Sequence, residues 1–83
     1  MRWLRSATNR LAELWNQAPD RQALTDAANR IDRLLEIDPT TCGESRARRR
    51  RILFEQPLFV IFRVNEARRE VVVLRVSRLP HRP

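Results

Sequence analysis

The sequence has no tyrosine and no lysine, and its 83 residues include one glycine, one cysteine and one histidine. A single glycine excludes a glycine-rich phosphate loop. The lone Cys42 excludes an internal disulfide and a cluster of thiolate metal ligands, and it fits a reducing cytosol. No apolar run approaches the roughly 18 residues of a membrane span. We therefore expect a cytoplasmic protein with no membrane segment, no metal site and no cofactor.

Because lysine is absent, all 17 basic side chains are arginines, and they are unevenly distributed. Residues 1–39 contain six arginines and six acidic residues, whereas residues 40–83 contain eleven arginines and four acidic residues. The net charge of +7 thus lies entirely in the second part of the chain. This concentration of positive charge predicts an anionic partner, either a nucleic acid or an acidic protein segment.

A single domain over residues 1–83 is expected, because a chain of this length can bury one small core. Apolar residues at three- and four-residue steps predict a first helix over about residues 7–17. Pro19 ends this helix, and Asp20 is a good N-cap for a second helix that ends before Pro39. The short connection predicts an antiparallel helical hairpin.

After a polar loop over residues 40–48, the period of the apolar residues changes to two. Alternation predicts strands over residues 50–55, 58–65 and 71–77, joined as an antiparallel meander. A short leading strand at residues 2–5 would add a fourth. The expected fold class is α+β, with the helical hairpin packed on a three- to four-stranded antiparallel sheet whose first strand is short or missing.

Alternation also assigns the two faces of the sheet. The face expected to cover the helices is uniformly apolar and comprises Leu58, Val60, Phe62, Val64, Val72, Leu74 and Val76. The opposite face would carry Phe59, Ile61, Arg63, Val71, Val73 and Arg75. The segment "RARRRRILF" at residues 46–54 enters at the sheet edge. Either Arg49 and Arg51 or Arg48 and Arg50 join this face, depending on the length of the turn at Gln56 and Pro57, because a one-residue slip exchanges the faces.

The order of helical hairpin, polar loop, arginine-rich strand and meander resembles the RelE/ParE superfamily of type II toxin-antitoxin toxins. The segments "RLAELW" and "AANRIDRLLEIDP" look like the family's two helices, and "GESRARRRRILFEQPLFVIFRVNEARREVVVLRVSR" looks like its loop and sheet. The resemblance implies a small bacterial toxin that a cognate antitoxin holds inactive. RelE-like members cleave mRNA in the ribosomal A site without a metal, whereas ParE-like members poison DNA gyrase. The arginine-rich sheet face makes ribosome-dependent mRNA cleavage the leading expectation. The alternatives are a ParE-like inhibitor of DNA gyrase and a catalytically degenerate module that binds nucleic acid or protein.

The chain departs from the RelE-like enzymes at several positions. Their Tyr-Arg pair at the start of the penultimate strand appears here as Leu58 and Phe59, and the C-terminal position holds His81 and Arg82. A metal-independent endoribonuclease would need a group that moves protons and groups that stabilise the phosphate. His81 titrates near neutrality and suits the first role, whereas arginine suits the second.

The predicted catalytic residues are therefore His81, Arg51, Arg63 and Arg75. The residues predicted to bind nucleic acid are Arg46, Arg48, Arg49, Arg50, Phe59, Arg78 and Arg82. Two alternatives remain. His81 is also consistent with a solvated tail residue, and the arginine cluster is also consistent with a docking surface for an acidic antitoxin segment.

Overall fold

In the computed structural model, which describes residues 1–80, a two-residue strand precedes two helices that form a hairpin. The helix α1 spans Arg5–Gln17 and α2 spans Arg21–Ile37, so the predicted hairpin is confirmed. Asp20 caps α2 as expected, because its Oδ1 accepts a hydrogen bond of 3.0 Å from the backbone N–H of Ala23. Within residues 1–80, neither helix combines the length and the apolar character needed to cross a membrane.

The sheet has five strands rather than three or four. They are β1 at Arg2–Trp3, β2 at Glu44–Ser45, β3 at Arg50–Glu55, β4 at Leu58–Asn65 and β5 at Glu70–Arg78, in the order β1-β5-β4-β3-β2. The predicted antiparallel meander of β3, β4 and β5 is confirmed. The short leading strand is also present, but it pairs with β5 in parallel, so the sheet is mixed and not wholly antiparallel.

The strand β2 lies in the segment predicted to be a loop. Glu44 lies opposite Ile52 and Ser45 lies opposite Arg51, which adds an antiparallel edge strand to β3. A 3-10 turn at Ala47–Arg49 then leads back into β3. Two residues are too few to show a period of two, which explains why the sequence pattern did not predict this strand.

A β-bulge interrupts the pairing of β4 with β5. Ile61 lies opposite Arg75 and Phe62 lies opposite Val73, so Leu74 has no direct partner across the strand pair. Such an extra residue shifts the alternation of a strand by one position. The residues of β5 before Leu74 therefore present their side chains to the faces opposite to those expected from simple alternation.

The bulge corrects the predicted faces of β5. Its residues in the hydrophobic core are Val71, Val73 and Val76. The predictions that Val72 and Leu74 cover the helices, and that Val71 and Val73 face away from them, are wrong. Arg75 and Val76, which follow the bulge, lie on their predicted faces, because Arg75 is opposite Ile61 and Val76 is opposite the buried Val60.

The core lies between the helical hairpin and one face of the sheet. Leu58, Val60 and Phe62 of β4 are fully buried, as alternation predicted. Trp3 packs against the core and donates a hydrogen bond of 2.8 Å from Nε1 to Oδ1 of Asp32 on α2. The helical contribution to the core consists of Ala7, Leu14, Leu24, Ala27, Ile31 and Leu35. Within residues 1–80, the opposite face of the sheet carries no helix.

Candidate anion-binding site

A concave surface of about 750 Å³ lies at the end of the sheet where β3 begins, β4 ends and β5 begins. The charged residues that line it are Arg2, Arg46, Arg48, Arg49, Arg50, Arg51, Arg63, Glu66 and Glu70. Seven arginines against two glutamates make this surface strongly positive. We refer to it as the arginine concavity.

Three of these arginines form a row across the sheet. Arg50 lies directly opposite Arg63, Arg63 lies opposite Val72, and Val72 lies opposite Arg2. Residues directly opposite each other share a face, and neighbouring strands are about 4.8 Å apart. We call Arg2, Arg63 and Arg50 the arginine row, and it lies on the face that carries no helix.

The arginine row is unpaired within residues 1–80. None of its three side chains makes a hydrogen bond or an ion pair with another side chain or with the backbone in the part of the chain that the structure describes. Like charges directly opposite each other on neighbouring strands destabilise a sheet. The fold therefore tolerates a local repulsion that a bound anion would relieve, and all three guanidinium groups keep their donors available.

Arg51 lies on the other face of β3 and has a different role. Its Nε donates to the carbonyl of Cys42 at 3.0 Å and its Nη2 to the carbonyl of Gly43 at 3.1 Å, while its Nη1 donates to Oγ of Ser45 at 2.9 Å. We call these contacts the Arg51 clamp. Three of the five N–H donors of Arg51 are used in the clamp. The main role of Arg51 is therefore to hold the loop in place, and few of its donors are left for a ligand.

The loop held by the Arg51 clamp carries two further arginines in an uncommon backbone conformation. Arg48 and Arg49 have φ angles of 63° and 61°, in the left-handed region that disfavours side chains with a Cβ. A backbone hydrogen bond of 2.6 Å from N–H of Arg46 to the carbonyl of Arg50 closes this loop. Arg46 itself forms an exposed ion pair of 3.1 Å with Glu44. The negative charge of Glu44 weakens the attraction between Arg46 and an anionic ligand.

The predicted catalytic arginines do not gather in one place. Arg63 belongs to the arginine row, whereas Arg51 forms the clamp on the opposite face. Arg75 lies opposite Ile61 and lines a separate depression beside Arg10 of α1. Arg51 and Arg63 thus both line the arginine concavity with the predicted nucleic-acid-binding cluster, although they lie on opposite faces of the sheet, and Arg75 is separate from it.

The remaining predicted residues lie away from the arginine concavity or outside the described part. Phe59 lies at the far end of the open face, where its ring centroid is 6.1 Å from that of the exposed Phe54. Arg78 lies opposite Leu58, at the end of the sheet remote from the concavity. The predictions for His81 and Arg82 fall outside residues 1–80, and the structure does not describe them.

Sequence reasoning missed Arg2 as a site residue. The only signal was the short leading strand, whose partner in the sheet could not be predicted from two residues. Leu4 donates a backbone hydrogen bond of 3.0 Å to Val73, and α1 begins at the next residue. Pairing of β1 with β5 therefore depends on where the helix starts, and this pairing brings Arg2 into the row.

Cys42 is half-buried under the Arg51 clamp, and we predict that its thiol is slow to react. Burial raises the pKa of Cys42 above its usual value; the Arg51 guanidinium lowers this pKa, and Asp38 and Glu55 raise it. The neutral thiol is a poor nucleophile. We expect iodoacetamide at mildly alkaline pH to alkylate Cys42 several-fold more slowly in the folded protein than in concentrated urea, measured by mass spectrometry. Equal rates in the two states would contradict this prediction.

Comparison with known proteins confirms the fold. No family model matches this chain, and a search of curated proteins gave no match. Among solved structures, the chain is similar to one described as "Chromosomal ParDE TA system from P. aeruginosa". The TM-score is 0.76 at 21% sequence identity, over 95% of this chain and 94% of that chain. The chain thus has the ParE-like fold that the RelE/ParE resemblance implies.

Proposed function

We propose that this protein is the toxin of a type II toxin-antitoxin pair. The observation that carries the proposal is the structural likeness to the ParDE system, which extends over 95% of the chain. The excess of arginines at one end of the sheet supports it, because such a surface attracts an anionic target or inhibitor. The partner in the resting cell is a cognate antitoxin with an acidic segment.

We favour inhibition of DNA gyrase as the toxic activity. Among residues 1–80, the side chains that line the arginine concavity are arginines, two glutamates and neutral groups. Arginine binds a phosphate well, but it is a poor general acid or base because its pKa exceeds about 12. These side chains are suited to bind an anion, which fits a toxin that acts by holding its target.

Cleavage of mRNA on the ribosome is the second candidate, and the unpaired arginine row favours it. Arg50 and Arg63 are suited to stabilise the charge that develops on a phosphate when the neighbouring 2′-hydroxyl attacks it. The proton transfers would then require His81, the only histidine in the sequence. RNA cleavage needs both a proton acceptor and a proton donor, and a single histidine would have to serve in both roles, so we place this candidate second.

One induction experiment separates the two activities. The protein is expressed from a regulated promoter in a sensitive bacterium, and mRNA 5′ ends and DNA double-strand breaks are mapped in the same culture. We expect growth arrest, DNA breaks and an SOS response with intact mRNA, together with loss of supercoiling by purified gyrase. Cuts at translated codons that vanish in His81→Ala would instead establish the nuclease. Normal growth with neither signal would contradict the toxin proposal.

A further inference from the structure

We propose that the arginine row, together with Arg48 and Arg49, is a binding site for the phosphodiester backbone of a nucleic acid. The inference deepens the proposed function and rests on it for its use in the cell, since a toxin directed at gyrase or the ribosome works beside nucleic acid. The binding itself is a property of these five arginines and can be measured without the target. The site binds backbone phosphates and does not read bases.

The placement of the row matches what a phosphate backbone requires. Arg2, Arg63 and Arg50 lie on one face of three different strands, with no acidic partner within residues 1–80. Val72 lies between two of them on this open face but is only 7% exposed. The aliphatic stem of an arginine can cover an apolar neighbour of this kind while its charged end stays in solvent. Each guanidinium can then donate two parallel hydrogen bonds to a phosphate.

The Arg51 clamp extends this row into the loop. It fixes the backbone at Cys42 and Gly43, and the loop then presents Arg48 and Arg49 on the rim of the same concavity. Both side chains are exposed, and both residues have positive φ angles. Such a conformation costs free energy, so it persists only where the surrounding structure holds it. A defined loop conformation therefore places two more positive charges beside the row.

The lining of the concavity favours a nucleic acid over an acidic protein segment. Among the residues that the structure describes, its aliphatic side chains are Val64, Ala67 and Val72, and none of its lining residues is aromatic. Protein segments obtain most of their binding free energy from large side chains that fill a pocket. The described lining of the concavity offers no apolar pocket for a large side chain. A chain with a charge on every unit, by contrast, can use each of the exposed arginines.

The experiment measures affinity against salt concentration for the antitoxin-free protein. A short DNA duplex and a single-stranded RNA of related sequence serve as probes. Each phosphate contact contributes about −0.9 to the slope of log K on log salt for duplex DNA and about −0.7 for single strands. Five contacts predict a slope of about −4.5 for the duplex, a loss of roughly 500-fold in affinity between about 50 and 200 mM salt. Scrambling the sequence is expected to leave the affinity unchanged.

Glutamine variants locate the contacts. Arg63→Gln is expected to reduce the magnitude of the duplex slope by about 0.9, and the triple variant at Arg2, Arg50 and Arg63 is expected to reduce it to about 1.8. Arg33→Gln is the matched control, because Arg33 is exposed on α2 and does not line the concavity. It removes the same charge and should leave the slope unchanged. Circular dichroism establishes that each variant is folded.

The possible results separate this site from the toxin function. A wild-type protein that does not bind either probe, or equal slope changes for Arg33→Gln and Arg63→Gln, would overturn the site. An acidic peptide that displaces the duplex at equal charge concentration and binds more tightly would also overturn it, by assigning the surface to a protein partner. Row-dependent binding in a protein that does not arrest growth would support the site while refuting the toxin proposal. Growth arrest by a protein that does not bind nucleic acid would support the toxin proposal and refute the site.

Discussion

Phe62→Ala is expected to destabilise the fold by about 3 to 5 kcal/mol, because it opens a cavity in the centre of the core. Phe62 is fully buried and lies opposite Val73 beside the β-bulge. A domain of this size has a total stability of only about 5 to 15 kcal/mol, so the loss is a large fraction of it. Urea unfolding followed by circular dichroism measures the change. If Phe62→Ala does not fold, Phe62→Leu gives a smaller loss that can still be measured.

Phe59→Ala is the matched control for this prediction. Phe59 is in the same strand, but it lies on the open face and is only partly buried. Its replacement removes the contact with Phe54, which is worth about 1 kcal/mol for an aromatic pair. The difference between the two variants therefore measures which face of β4 covers the helices. Equal losses for Phe59→Ala and Phe62→Ala would refute the assigned faces.

The core residues of β4 could be predicted from the sequence, but those of β5 could not. In β4, the polar residues Arg63 and Asn65 mark the open face and so fix the phase of the alternation, and Leu58, Val60 and Phe62 are buried as expected. The segment at residues 71–74 reads Val-Val-Val-Leu, so a period of two can be placed on it in either phase. Only the pairing with β4 decides between the phases, and the bulge at Leu74 reverses the one that alternation suggests.

At the candidate site, too, the sequence pattern could not predict the pairing of neighbouring strands, which decides where the arginines of the cluster lie. The sequence placed the cluster at the edge of the sheet but left open whether Arg50 or Arg51 lies beside Arg63. Pairing of Glu55 with Leu58 across a two-residue turn decides this, because it puts Arg50 opposite Arg63. Neighbouring residues of a strand point to opposite faces, so Arg51 is directed to the loop carbonyls. A shift of one residue in the pairing of β3 with β4 would therefore exchange the arginine that can bind a ligand with the arginine that holds the loop.

Arg2 could not be predicted at the site, for a different physical reason. Its position depends on a parallel pairing between residues about 70 positions apart in the chain, Arg2 with Val72. Two residues carry no periodicity, and nothing in the local sequence indicates which strand they join. The contact follows from tertiary packing, in which α1 starts at Arg5 and packs along β5.

Gly43→Ala is expected to disrupt the edge of the sheet that supports the arginine loop. Gly43 has a φ angle of 75°, and a Cβ added there would lie 2.3 Å from the carbonyl oxygen of Ile52. That oxygen belongs to the backbone of β3, so it cannot move without disturbing the pairing with β2. The positive φ costs about 1 kcal/mol and the overlap about 1 to 3 kcal/mol. We expect a total loss of about 2 to 4 kcal/mol, unless β2 detaches and releases the strain locally.

Hydrogen exchange distinguishes global loss from local release in the Gly43→Ala protein. If β2 detaches, the amide of Arg46 loses its protection because its bond to the carbonyl of Arg50 no longer forms, while the amides of β4 keep theirs. A chemically synthesised protein with D-alanine at position 43 is the matched control, since a D-residue favours positive φ and directs its Cβ away from Ile52. It should keep both the stability and the Arg46 protection. If the L-alanine protein behaves like the D-alanine protein, then Gly43 does not hold the loop, and the clamp made by Arg51 must define its conformation alone.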